Sequence, residues 1–190
     1  MQRRQFLALC SAFVAWPVLA NSRIQKTPSQ AEGPFYPVTS IPLRESLVLD
    51  ESSLIGEPMT LTTRVVDDTG KPMSGIRVEI WQCDGQGVYE HPRQPEVERF
   101  DPSFAGFAAL ETDSNGLCQF QTLYPVPYTG RPPHIHVKLW HGKHEMLTTQ
   151  LYLKGETGNE WWGGSERDWL QMDVAKDAKG NQMTQFQFVV

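Results

Sequence analysis

The sequence predicts an all-β protein, a β-sandwich of mostly antiparallel strands with long irregular loops and little helix. Three observations carry this. From Thr60 onward, short β-branched or aromatic runs alternate with turn signals. Inside the runs apolar residues recur at every second position, as a strand with one buried face requires. Fourteen Pro and fifteen Gly among 190 residues supply many turns and sit badly with a helical bundle.

The first run, LTTRVV at 61–66, ends in the turn DDTGKP. In IRVEIWQ at 76–82, Ile76, Val78 and Ile80 fall on one face and Arg77, Glu79 and Trp81 on the other, so one face is expected to be core. FAALETD leads through SNG into LCQFQT at 117–122. HIHVKLW at 134–140 is followed by HGKH and MLTTQLYL at 146–153, and TQFQFVV at 184–190 is the last run. Such spacing is that of a sandwich. Only SERDWLQM at 165–172 looks helical, with Ser165 as N-cap and Asp168 in the capping-box position.

Three segments are expected: a signal peptide at 1–20, an extended arm at 21–58 that is rich in Pro and polar residues, and the sandwich domain at 59–190. Arg3 and Arg4 precede an apolar stretch from Phe6 to Val14 that is too short to span a bilayer, and Val18 and Ala20 occupy the positions a signal peptidase reads. The order Arg3-Arg4-x-Phe6-Leu7 resembles a twin-arginine signal, which implies export, to the periplasm, of a chain already folded. Cys10 as a lipoprotein acceptor would leave too short an apolar region before it.

Composition is ordinary for one globular domain, 39% hydrophobic and 21% charged. The formal charge of −5, with no Lys/Arg block in the body of the chain, excludes nucleic acid as a partner and argues against a stable membrane anchor. Loss of Arg3 and Arg4 with the signal would leave 15 basic against 22 acidic side chains. Cys83 and Cys118 would then be the remaining cysteines, and a disulfide and two buried thiols are both open.

The densest chemistry lies in Tyr124-Pro-Val-Pro-Tyr128-Thr-Gly-Arg131-Pro-Pro-His134-Ile-His136. Alternate residues of a strand share a side, so His134 and His136 can reach one metal ion, although a bare H-x-H also occurs as simple packing. The cupin pattern needs a Glu shortly after H-x-H, where this chain has Trp140 and His141. Tyr128 and Tyr89 surround the pair instead. Phenolate is a hard anion suited to ferric iron, and two phenolates with two neutral imidazoles balance most of the ion's charge in a buried site. Zinc or copper held by His134, His136 and His91 is the competing metal reading.

Three motifs, Thr27-Pro-Ser-Gln-Ala-Glu32-Gly33-Pro-Phe35-Tyr36-Pro37, Trp81 to His91, and Tyr124 to His136, stand in the order found in the intradiol ring-cleavage dioxygenases. The chain resembles that family, in its protocatechuate 3,4-dioxygenase-like branch, with a further match at Thr149-Gln150-Leu-Tyr152. The resemblance implies a nonhaem iron(III) enzyme that opens a catechol-type ring between its two hydroxyl-bearing carbons with O2, giving a cis,cis-muconate-type product. It makes Tyr89, Tyr128, His134 and His136 the iron ligands, with Tyr128 doubling as a base. Tyr124 competes with Tyr128 for that role. Arg131 would lie over the substrate ring, and Gln150 would line the pocket. Phe35 and Tyr36 would pack near the pocket, and Trp161 and Trp162 would form an aromatic loop. The interval from Tyr128 to His134 is shorter than the family's, Val126 replaces a Gly, and the long N-terminal helical domain of the catechol 1,2-dioxygenases is missing. A noncatalytic exported binding module is the alternative, and a homo-oligomer is the expected assembly. Which catechol is used does not follow from these residues.

Overall fold

The alternating runs assemble into two facing sheets. The structure is a computed structural model that describes residues 23–128, 130–156 and 164–190, the side chains of residues 164 and 165 excepted. Residues 1–20, read as an export signal, and Trp161 and Trp162 lie outside the described residues. The strands are β1 (Pro58–Val66), β2 (Arg77–Trp81), β3 (Phe107–Glu111), β4 (Leu117–Leu123), β5 (His134–His141), β6 (His144–Leu153), β7 (Gln171–Met172), β8 (Val174–Lys176) and β9 (Gln182–Val189). One sheet has the order β4-β1-β9-β8 and the other β3-β2-β5-β6-β7. Every pairing is antiparallel except β1 with β9 and β6 with β7. This is the β-sandwich that the alternation predicts.

Between the sheets, Leu61, Val65, Phe120 and Phe188 meet Val78, Ile80, Ile135, Val137, Leu139 and Leu151, all buried. Each such side chain contributes about 1.5–3 kcal/mol by leaving water. Ile76, Val78 and Ile80 point into this core as read from the sequence. The other face of β2 differs from the reading, because Glu79 and Trp81 are buried as well. The arm lies over them. Glu79 is tolerable there because Arg77 pairs with it at 2.7 Å while the Tyr36 hydroxyl and Trp140 Nε1 each donate to it at 2.8 Å.

Residues 24–57 form no strand yet are tied to both sheets. Thr27 N donates to Val189 O at 2.9 Å, Gln30 N to Thr148 O at 2.9 Å and Leu47 N to Gln121 O at 2.7 Å. The segment expected to be helical forms a 3₁₀ helix over Gly164–Leu170, so Ser165 lies inside it instead of ahead of it. Its last residues, Gln171 and Met172, leave the helix to pair with β6. Arg167 and Leu170 are both buried, a spacing of three that suits the tighter helix. Cys83 and Cys118 are free thiols, which settles the open choice against a disulfide.

Candidate metal centre

Strand β5 places His134 and His136 on the face turned away from the sandwich core, beside Tyr152 and Gln150 of β6 and Trp81 of β2. His134 Nδ1 lies 2.7 Å from Pro132 O. A carbonyl can only accept, so Nδ1 carries the proton and the lone pair of Nε2 is free to bind a metal. His134 Nε2 is 3.1 Å from His136 Nε2. Two imidazoles on one ion at about 2.1 Å and a right angle hold their nitrogens about 3 Å apart, so the pair fits a shared metal.

The tyrosines arrive on loops. After β2, Asp84 Oδ1 accepts the Gln86 and Val88 amides, both at 2.9 Å, and fixes the turn that delivers Tyr89. Gly87, at φ 82°, lets that turn press on the other tyrosine, since a Cβ there would stand 3.3 Å from Tyr128 Cβ. The Tyr89 and Tyr128 rings meet edge to face at 5.1 Å, Tyr128 lies 5.5 Å from His134, and Tyr89 lies 6.1 Å from His136. The four residues expected to bind metal therefore form one cluster. Tyr124 points elsewhere, its hydroxyl donating to Glu156 at 2.9 Å.

Burial pushes the Tyr89 phenol well above its ordinary pKa and raises that of Tyr128, which Arg131 partly offsets. Burial also lowers His134 to about 4 and holds His136 well below its ordinary range, so both rings are neutral donors. A bound cation reverses the logic for the phenols and favours phenolate. Tyr89 Oη faces the Tyr128 hydroxyl but finds no partner of hydrogen-bonding geometry among the described residues, and neither do His136 Nδ1 and Trp81 Nε1. Buried polar atoms without partners are uncommon, and three of them in one cluster mark a site built for something else to complete. No group of three or more His, Cys, Asp or Glu among the described residues could hold a metal, which counts against His91 as a third zinc or copper ligand.

Arg131 Nη2 donates to Gln150 Oε1 at 2.6 Å, and Gln150 Nε2 donates onward to Ala31 O at 2.7 Å. Gln150 thus helps to fix the guanidinium and joins it to the arm. The Tyr152 hydroxyl also donates to Gln150 Oε1, at 3.2 Å. Phe35 packs at the centre as expected, whereas the contacts of Trp81 and Gly33 with His136 carried no local signal. Trp81 stacks on His136 at 4.8 Å and 8°, and Phe35 stacks on Tyr89 at 4.6 Å. A Cβ on Gly33 would stand 3.2 Å from His136 Cε1. A cavity of about 550 Å³ opens beside Tyr128, walled by Phe35, Gly87, Gln94 and Pro127 but not by Arg131 or Gln150.

A family model described as Dioxygenase matches residues 31–160, a span that holds every one of these residues. Over 111 residues the chain is 35% identical to the protocatechuate 3,4-dioxygenase beta chain of Burkholderia cepacia, covering 54% of this chain and 47% of that one. The chain belongs to the intradiol ring-cleavage dioxygenase family. It is 27% identical to an intradiol ring-cleavage dioxygenase of Aspergillus niger, over 91% of its own length and 58% of that protein's. Among solved structures, the dioxygenase domain of a dioxygenase carbohydrate-binding protein fusion from Streptomyces sp. SirexAA-E superposes with a TM-score of 0.70 at 32% identity, covering 87% of this chain and 98% of that one. The chain spans about half the length of the curated relatives it matches.

Proposed function

We propose that this protein is a nonhaem iron(III) intradiol dioxygenase that opens a catechol-type ring between its two hydroxyl-bearing carbons, placing both atoms of O2 in a cis,cis-muconate-type product. The convergence of two phenols and two neutral imidazoles, with the histidine Nε2 atoms 3.1 Å apart, carries this reading. Tyr89, Tyr128, His134 and His136 would hold the ion. When bound, ferric iron supplies Lewis acidity toward the two catechol oxygens and makes the ring reactive toward O2.

The chain's own residues do the rest. Tyr128 is the more exposed of the two phenols, and held as phenolate by the bound ion its Oη would take a proton from an incoming diol hydroxyl. Arg131, fixed by Gln150, sets a positive charge beside the cluster, where it stabilises negative charge growing on the ring. Phe35 and Trp81 cover Tyr89 and His136 and exclude water behind them. Export by residues 1–20 belongs to the same proposal, and replacing Arg3 and Arg4 by Lys should strand the protein in the cytoplasm.

The test is a visible spectrum of iron-loaded protein with and without catechol, beside a metal analysis. Tyrosinate-to-iron(III) charge transfer gives a broad red-brown band that moves when catechol binds. Iron-loaded protein that stays colourless would sink the reading.

A further inference from the structure

The short arm stretch 31–36 touches the candidate centre at three places. Ala31 O takes the Gln150 amide that steadies Arg131, Gly33 lies against His136, and Phe35 stacks on Tyr89. One residue further on, Tyr36 packs edge-on to Trp81 at 5.0 Å, the ring that backs His136. Between these contacts sits Glu32, ion-paired to Lys138 of β5, 106 positions away. Lys138 shares its strand face with His134 and His136, and its side chain is only 5% exposed. The ammonium also lies 4.3 Å from the centre of the Tyr36 ring.

A buried ammonium must be paired, and Lys138 has two acids: Glu32 from the arm and Glu145 from β6, the latter at 3.3 Å. Only the Glu32 pair joins the arm to the sheet. Glu145 belongs to the neighbouring strand and is held there by the Thr148 hydroxyl at 2.7 Å.

We propose that the Glu32–Lys138 pair is a positioning latch that seats residues 31–36 on His136, Tyr89 and Gln150, so that docking of the arm governs how tightly the centre keeps its metal. The metal-keeping half rests on the ferric reading above, and the arm-seating half does not. Loss of the latch loosens residues 31–36 without unfolding the sandwich, because the Gln30 amide still bonds Thr148 O, the Tyr36 hydroxyl still bonds Glu79, and Lys138 keeps Glu145.

Glu32→Gln, Glu32→Asp and Lys138→Met would be compared with wild type by amide hydrogen exchange across residues 31–36, release of iron to a chelator, and global unfolding midpoint. In Glu32→Gln both arm exchange and iron release should speed up by about tenfold or more, with the midpoint nearly unchanged. Lys138→Met should show the same pair of effects, and Glu32→Asp, which keeps the carboxylate, should recover most of both. Exchange and release at wild-type rates in Glu32→Gln, or equal losses in the Gln and Asp variants, overturn the latch. Wild-type protein that takes up no coloured iron overturns the ferric reading and the metal-keeping half together, and arm exchange alone then decides the seating.

Discussion

His134 Nε2 faces His136 Nε2 at 3.1 Å in a site where burial holds both rings neutral. Such an arrangement has a pH signature in the metal-free protein. His134 binds a proton near pH 6.5 when unfolded but only near pH 4 when folded, so across that window the unfolded chain carries the extra proton. Stability is therefore full above about pH 6.5 and falls as the pH drops, by about 2 kcal/mol at pH 5 from His134 alone. Urea unfolding of metal-free protein at about pH 7.5 and pH 5 measures it. Equal stability at both values would mean that the rings are not buried as described.

The buried Tyr89 hydroxyl faces that of Tyr128 but makes no well-formed hydrogen bond. Tyr89→Phe should leave the metal-free protein as stable as wild type, or more stable by up to about 1 kcal/mol, because an unpaired buried hydroxyl only costs energy. The same change should abolish or strongly weaken the coloured iron band. Urea titration of the metal-free variant and a spectrum after iron loading separate the two effects. A loss of stability without a loss of colour would make Tyr89 a structural residue.

Seven strands were legible as β-branched or aromatic runs set between turn signals; in β1, β4 and β9 burial also alternates, from Leu61 and Val65 to Phe188, whereas β2, β5 and β6 are buried on both faces. Strands β7 and β8 are two and three residues long, too short to display a period. In the site, i, i+2 geometry marked His134 and His136 as a possible pair and the sequence offered Tyr89 and Tyr128 as phenols to join them, whereas their assignment as one ligand set came from the family resemblance. Trp81 behind His136, Gly33 against it, and the Glu32–Lys138 pair are contacts between segments far apart in the chain, which leave no local pattern. The same cause misled the reading of β2, whose outer face is buried by an arm some 40 residues earlier in sequence.

Gly33 is held at φ 78°, and a Cβ there would press on His136 Cε1 at 3.2 Å. His136 has no room to retreat, since Trp81 stacks on it at 4.8 Å. Gly33→Ala should cost about 1–3 kcal/mol of stability, part backbone strain and part displacement, and should weaken iron binding. Gly142→Ala is the control. Gly142 has φ 60° but nothing within 4 Å of a Cβ, so that variant suffers backbone strain alone and should bind iron as wild type does. Equal iron affinity in both variants would disconnect the arm from the ligand ring.

Arg131 and Gln150 act as a unit, joined at 2.6 Å, and neither belongs to the four proposed ligands. Removing the guanidinium should therefore leave iron content and colour in place while lowering kcat by about 10²-fold, the usual effect of losing one fixed charge beside a developing anion. Gln150→Leu keeps the charge but removes one of the groups that hold it, together with the tie to Ala31 O, so its loss should be smaller in kcat. A double variant should fall no further than Arg131→Ala alone, because the glutamine acts through the arginine. Turnover with catechol and iron analysis on the same preparations decide this. Iron lost in step with activity in Arg131→Ala would assign the arginine to the framework of the site instead of to its chemistry.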